Sequence, residues 1–164
     1  MLRAQGGVRV LERAPYDAET IAKWFIAFSE QEEYGDGAIS NMKLQKLLYY
    51  AQGQHLAACG QVLFNDPIEA WDHGPVIPSL YHRFKGTDDG LTLDPDDPFE
   101  WSDVDPEVTQ LLLDVWDTYG GIAAWKLRAM THNEAPWAEA YRAGVSHIRI
   151  DQSAMERYFK AHLA

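Results

Sequence analysis

The chain has 164 residues, 46% of them hydrophobic with six Trp, and a formal net charge of −11. That composition is globular, and the length fits one domain with a real core, since a chain near 150 residues buries roughly 70% of the surface its unfolded form exposes. The single cysteine, Cys59, excludes an internal disulfide and fits a reducing cytoplasm, while the apolar runs fall far short of the ~18 residues that span a membrane.

The N-terminal stretch has three arginines and no apolar core region, so it reads as a flexible lead over 1–15 and not as a secretory signal. Asp17 is placed as the N-cap of a first helix, about Ala18 to Glu33, in which Ile21, Trp24, Phe25 and Phe28 follow the 3.6-residue period. After the break "YGDGAIS", Ser40 or Asn41 caps a second helix that runs to about Cys59, with Gly60 closing it. Leu44, Leu47, Leu48, Ala51, His55 and Ala58 form one stripe, Tyr49 and Leu56 another, and Tyr50 a third; a helix apolar on most sides is central to its domain. "QVLF" and "IEAW" flank the turn signal "NDP" and predict a short antiparallel hairpin, followed by a stiff irregular loop, "DHGPVIPSL". Pro78 opens a short helix closed by Gly86, and the Asp/Pro-rich stretch 87–105 reads as loop. Further helices are predicted at about 106–119, with its stripe of Val108, Leu111, Leu112, Val115 and Trp116, at about 122–131, and from Pro136. "HIRI" reads as a brief strand, and Asp151 or Ser153 caps a terminal helix, Ser153 and Glu156 having capping-box spacing.

The charge is uneven. From Gly86 to Trp125 there are eleven acids and no Lys or Arg; the other fourteen of the 25 acids are matched by fourteen bases. This disfavours autonomous nucleic-acid binding, which needs clustered cations. An acidic face suits a basic protein partner; the plainer alternative is a solvated loop.

No phosphate-binding, dinucleotide-binding, nucleophile-elbow or zinc-protease motif is present. His55, His73, His82 and His132 show no helical ligand spacing and have no second Cys beside them, and "DPDD" lacks the glycine and terminal glutamate of a calcium loop. His55 shares a stripe with Leu48 and Ala51, so a hydrogen-bonded core histidine is its default, and Cys59 among alanines reads as a small packed side chain. Lys43 and Lys46 stand in the first turns of the central helix, where the helix dipole disfavours cations. Either they mark a working surface, or their stems cover apolar surface while the heads reach solvent or an acid, or they anchor the neighbouring "WDHGP" loop through its carbonyls or Asp72. Trp71, beside the rigid Gly74-Pro75 turn, and Trp137 allow two readings each, an interface anchor or the plug of a core.

Residues 39–86, "ISNMKLQKLLYYAQGQHLAACGQVLFNDPIEAWDHGPVIPSLYHRFKG", resemble the Panacea domain, the family of SocA-like antitoxins and the GepA phage-associated protein. A second block, "MTHNEAPWAEAY" from Met130 to Tyr141, matches in order, with Met130 where the family often has Leu, a volume-conserving change. The resemblance covers about residues 17–160 and implies a mainly α (α+β) fold of six to seven helices around a central helix, with a small hairpin, as a single domain over 16–164. It further implies a cytoplasmic, bacterial or phage-derived antitoxin of a type II-like toxin–antitoxin system that neutralises a protein toxin by direct binding. For some members the resemblance also implies a role as adaptor delivering the toxin to a ClpXP-type protease. No enzymatic activity, cofactor, metal, nucleic acid or membrane is implied, and the oligomeric state is left open. The candidate partner-binding residues are Lys43, Gln45, Lys46, Tyr49, Trp71, His73, Gly74, Pro75, Tyr81, His132 and Trp137. The alternative is a small metal-dependent enzyme or ligand-binding protein using His55, His73, His82 or His132.

Overall fold

The computed structural model describes residues 15–32, 39–86 and 90–162, so the lead expected over 1–15, apart from Pro15, lies outside the described residues. The structure is mainly helical. Seven α-helices run in the order α1 (Ala18–Gln31), α2 (Asn41–Cys59), α3 (Pro78–Arg83), α4 (Pro106–Val115), α5 (Ala124–His132), α6 (Ala135–Ala140) and α7 (Gln152–His162). A two-stranded sheet, β1 (Glu69–Trp71) and β2 (Gly74–Val76), lies between α2 and α3 in sequence.

The expected central helix is α2. Ser40 Oγ accepts the Lys43 N–H, and Gly60 closes the C-terminus in the left-handed region at φ 71°. Residues 44–53 are all buried, and α1, α4, α5, α7 and β2 all pack on this one helix. Gly53 is the point of closest approach: a Cβ there would collide with the ring of Phe159 on α7. The core continues through Trp24, Phe25, Leu63, Phe64 and Leu112, all essentially sealed from solvent. The helix expected at 106–119 ends its regular turns at Val115 and continues as a five-residue π-helical segment, Trp116–Gly120, in which a Cβ on Gly120 would lie 2.7 Å from the Trp116 ring.

Several local expectations need correction. The hairpin is built from 69–71 and 74–76: "IEAW" supplies the first strand as expected, but its partner is "GPV" and not "QVLF". Its register is Glu69↔Val76, Ala70↔Pro75 and Trp71↔Gly74, leaving Asp72 and His73 as a two-residue turn. Gly74 adopts φ 109°, which an L side chain rarely adopts. The "DHGPV" segment is therefore half of the hairpin. Residues 63–64 make their backbone bonds elsewhere, as described below. "HIRI" borders the sheet on its far side: Ala70 N–H donates to Ile148 O and Ile150 N–H to Ile68 O, each at 2.8 Å. Asp17 stands at the N-cap of α1 without a side-chain bond, and the Ala18 N–H donates instead to Asp66 Oδ1 at 3.1 Å. At α7 the Ser153 N–H donates to Asp151 Oδ1, so Asp151 is the capping residue.

The acidic stretch is strapped down. Leu91 and Val104 are buried, the Leu93 N–H donates to Glu30 of α1, and Trp101 packs edge-on to Trp24. Asp97 lies 2.6 Å from Lys23 of α1 and 2.7 Å from Arg83 of α3, and Arg83 also pairs with Glu19. Lys23 first, then Arg83, hold the Asp97 carboxyl below its ordinary range.

Candidate partner-binding site

The polar residues of α2 point in several directions, and each grips a different segment. Gln52 acts as a piece of β-ladder: its Oε1 accepts the Leu63 N–H and its Nε2 donates to Phe64 O, both at 2.7 Å. Gln45 Oε1 accepts the Ile77 N–H at 2.9 Å, fixing the exit of β2, while its Nε2 donates to Asn41, which in turn donates to Tyr81 O. These bonds satisfy backbone groups that burial would otherwise leave stranded at a cost of about 1–3 kcal/mol each.

Lys46 is fully buried. Its head reaches neither solvent nor an acid, but a carbonyl of the "WDHGP" loop, one of the ends expected for it. Nζ lies 3.1 Å from Met42 Sδ and 3.4 Å from Pro75 O. Burial, and secondarily the charge of Arg128, lower its pKa from 10.5 to about 7. The stem runs under the hairpin: a Cβ on Gly74 would lie 2.6 Å from Lys46 Cε and 2.9 Å from Thr131 Oγ1. Glycine at 74 therefore serves both the turn and the passage of the lysine.

Tyr49 and Tyr50 donate to the two oxygens of one carboxylate, Glu134, at 3.0 and 2.9 Å. Burial raises the Glu134 pKa, opposed by these two phenol bonds. Burial first, and then that carboxylate, push both phenols far above their usual range. Tyr50 also stacks on Tyr119, with centroids 3.7 Å apart. The clasp holds the α5–α6 corner against α2. From that corner rises a stack of three rings: His132 on Trp137 at 3.9 Å, and Trp137 on Tyr141 at 4.5 Å. The stack props the hairpin turn, because Trp137 Nε1 donates to Trp71 O at 2.8 Å and the Tyr141 hydroxyl bonds Asp72 Oδ1. Burial and Arg128 hold the His132 imidazole below its ordinary pKa, with a hydrogen bond to the Asp72 backbone acting the other way. Its Nε2 is buried with no hydrogen-bond partner among the described residues.

What faces outward is the turn. Asp72 and His73 are exposed, and Trp71 is half-buried, edge-on to Tyr81 at 5.0 Å. Beside them opens a cleft of about 320 Å³ between Trp71 and Asp72 on one side and Tyr141, Val145, Ser146 and His147 on the other. Glu69 accepts the Trp71 indole N–H at 3.0 Å and lies 3.5 Å from His147 Nδ1.

The candidate residues thus divide. Trp71, His73, Tyr81 and the half-buried Lys43 lie at or near the surface. Gln45, Lys46, Tyr49, Gly74, Pro75 and Trp137 are buried, and with His132 they hold the turn in place. The four histidines do not converge: among the described residues no three His, Cys, Asp or Glu side chains are arranged to hold a metal. His55 bonds Gln61 O through Nδ1 at 2.6 Å, as a core histidine should. Glu134 and Tyr141 lie in the Met130–Tyr141 block but are not among the candidate site residues, and neither is the 145–147 loop. The adjacent tyrosines of α2 were the available signal for Glu134, since buried phenols need an acceptor. Nothing in the sequence signalled the loop.

Among the described residues no helix is long and apolar enough to cross a membrane. The family model described as antitoxin SocA-like, Panacea domain, matches residues 44–138. Antitoxin SocA of Caulobacter vibrioides (strain NA1000 / CB15N) is 51% identical over 49 residues, 30% of this chain and 26% of that protein. The matched stretch is thus about a quarter of that relative's length. No solved structure matches significantly. The family match runs from the first turn of α2 through the hairpin and the Glu134 clasp to just beyond the Trp137 prop, more than half of the residues; the chain belongs to the SocA-like antitoxin, Panacea domain family.

Proposed function

We propose that this chain neutralises a cognate protein toxin by binding it directly through the hairpin-turn face, in a non-enzymatic role. The observation that carries the reading is the division of labour in the family-matched stretch. Within it Lys46 bonds Pro75 O and Trp137 bonds Trp71 O, bracing both flanks of one two-residue turn, and that turn, Asp72-His73, is presented to solvent beside an aromatic-lined cleft. A stable complex buries about 1,200–2,000 Å² in total, with aromatic anchors near its centre, and Trp71 and Tyr141 stand where such anchors are needed.

The test is co-expression with the product of the adjacent gene. The expected result is a growth-inhibiting neighbour, rescued by this chain, that co-purifies with it. Asp72→Arg with His73→Glu, both on exposed positions, is expected to abolish rescue without lowering the melting temperature. A harmless neighbour, or rescue untouched by the double variant, refutes the reading. Toxin half-life in the same cells separates sequestration, the reading favoured here, from delivery to a ClpXP-type protease, which would shorten it.

A further inference from the structure

The cleft beside the turn has the chemistry of a receptor for one particular kind of side chain. Its volume of about 320 Å³ is at the small end of ligand sites, enough for one long side chain. Trp71, Tyr141 and Val145 line it together with Asp72 and the imidazoles of His73 and His147, and no Lys or Arg is among the lining residues. Tyr141 engages only Oδ1 of Asp72. The Glu69 carboxylate, bonded to the Trp71 indole N–H, adds a second negative charge near the cleft. Apolar surface, two aromatic rings and a carboxylate complement a planar cation on an aliphatic stem. A guanidinium meets these demands better than an ammonium, since it stacks on rings and bonds carboxylates in a bidentate fork.

The two sides of the cleft also differ in origin. Trp71 and Asp72 lie inside the family-matched stretch 44–138 and Tyr141 closes the resembling block Met130–Tyr141, whereas Val145, Ser146 and His147 lie beyond both. The second wall has a deliberate backbone. His147 adopts φ 62°, the single non-glycine residue with positive φ among the described residues, and Gly144 adopts φ 76°. Strained conformations of this kind cluster at functional sites.

We infer that this cleft receives an arginine side chain presented by the toxin, and that the 141–147 wall sets which toxin is accepted. The inference rests on the direct-binding reading above, so its test has one arm that needs no toxin. In that arm ¹⁵N-labelled full chain is titrated at pH 8, above the ordinary imidazole range, with N-acetyl-arginine methylamide and with its neutral isostere N-acetyl-citrulline methylamide. The Trp71 indole N–H is the reporter. A saturable shift with the arginine compound alone is expected, and it should disappear in Val145→Trp, which fills the cleft from a position 54% exposed and so leaves folding intact. Asp72→Asn, which keeps an acceptor for Tyr141, should weaken the shift. No saturable shift, equal shifts from citrulline, or a shift unaffected by Val145→Trp overturns the assignment. In the second arm, Val145→Trp and Asp72→Asn should each weaken the toxin complex at least about tenfold at unchanged melting temperature. A wild-type chain that shifts with arginine but binds no toxin refutes the function while the cleft stands. A toxin complex indifferent to Val145→Trp refutes the cleft while the function stands.

Discussion

Replacing Lys46 by Met removes a buried charge while keeping most of an aliphatic stem of similar length. The amine is wholly buried, and its pKa falls from 10.5 to about 7. The unfolded chain keeps the amine protonated up to its ordinary value. Between those two pH values the unfolded state therefore binds more protons, and stability rises with pH. The full depression corresponds to about 5 kcal/mol at 1.36 kcal/mol per decade. About 4 kcal/mol of this is missing from the wild-type fold at pH 7, and roughly half of that returns by pH 9. Against it stands the loss of the 3.4 Å bond to Pro75 O, worth ~1 kcal/mol. We predict that Lys46→Met is more stable than wild type by about 3 kcal/mol at pH 7, and that this advantage shrinks by about 2 kcal/mol by pH 9. Urea unfolding followed by Trp fluorescence across pH 6.5 to 9, at constant m, measures both quantities. A difference independent of pH, or a variant less stable throughout, would refute the reasoning, because either result means the amine is charged and well solvated where it sits. A stabilised variant that also loses toxin neutralisation would mark Lys46 as retained for function at the expense of stability.

The other expectations concern how α2 is held. Gly53→Ala drives a methyl into Phe159 and should cost about 1–3 kcal/mol by overpacking, read as a fall in melting temperature; an unchanged value would mean that α7 moves freely. Gln52→Leu strands the Leu63 N–H and Phe64 O and should cost ~2–4 kcal/mol in urea unfolding, with a loss under 1 kcal/mol counting against the ladder role. Glu134→Gln leaves both phenols without a charged acceptor and one of them facing an amide N–H donor. A double-mutant cycle with Tyr49→Phe should show coupling of ~1 kcal/mol, and additive losses would mean that the clasp carries no energy.

The central helix was legible because its start and stop chemistry is local: a serine that accepts the N–H three residues on, and a glycine in the left-handed region. Its apolar character on most sides told truly that it lies in the middle. The hairpin was misplaced because "NDP" offers a turn signal whose flanks pair with something else. Residues 63–64 are satisfied by Gln52 and, at Leu63 O, by the Tyr16 N–H, so they had no need of β1. Such side-chain ladders between a helix and a loop leave no periodic trace. For Lys46 the sequence showed an anomaly, a cation at a helix start, and offered the "WDHGP" carbonyls as one of several ends for the head; the choice among them depends on Gly74, 28 residues on, letting the stem pass. The outer wall of the cleft was invisible for a different reason. An exposed loop has no hydrophobic period, and its shape comes from two left-handed residues, one of them a histidine.

The grips of α2 also imply an order of assembly. Gln52 closes a loop of 11 residues to Leu63, Gln45 one of 32 to Ile77, and Tyr49 one of 85 to Glu134. Three doublings of loop length separate the first from the last, about 1.8 kcal/mol of chain entropy. We predict that the hairpin segment docks early and the α5–α6 corner late, so the corner opens first in native-state hydrogen exchange, its amides losing protection before those of α2. Trp137 rides on that corner. The solvent-facing turn would then be the last part of the molecule to gain its support and the first to lose it, and if the direct-binding proposal holds, a partner seated on the turn would tighten the corner behind it.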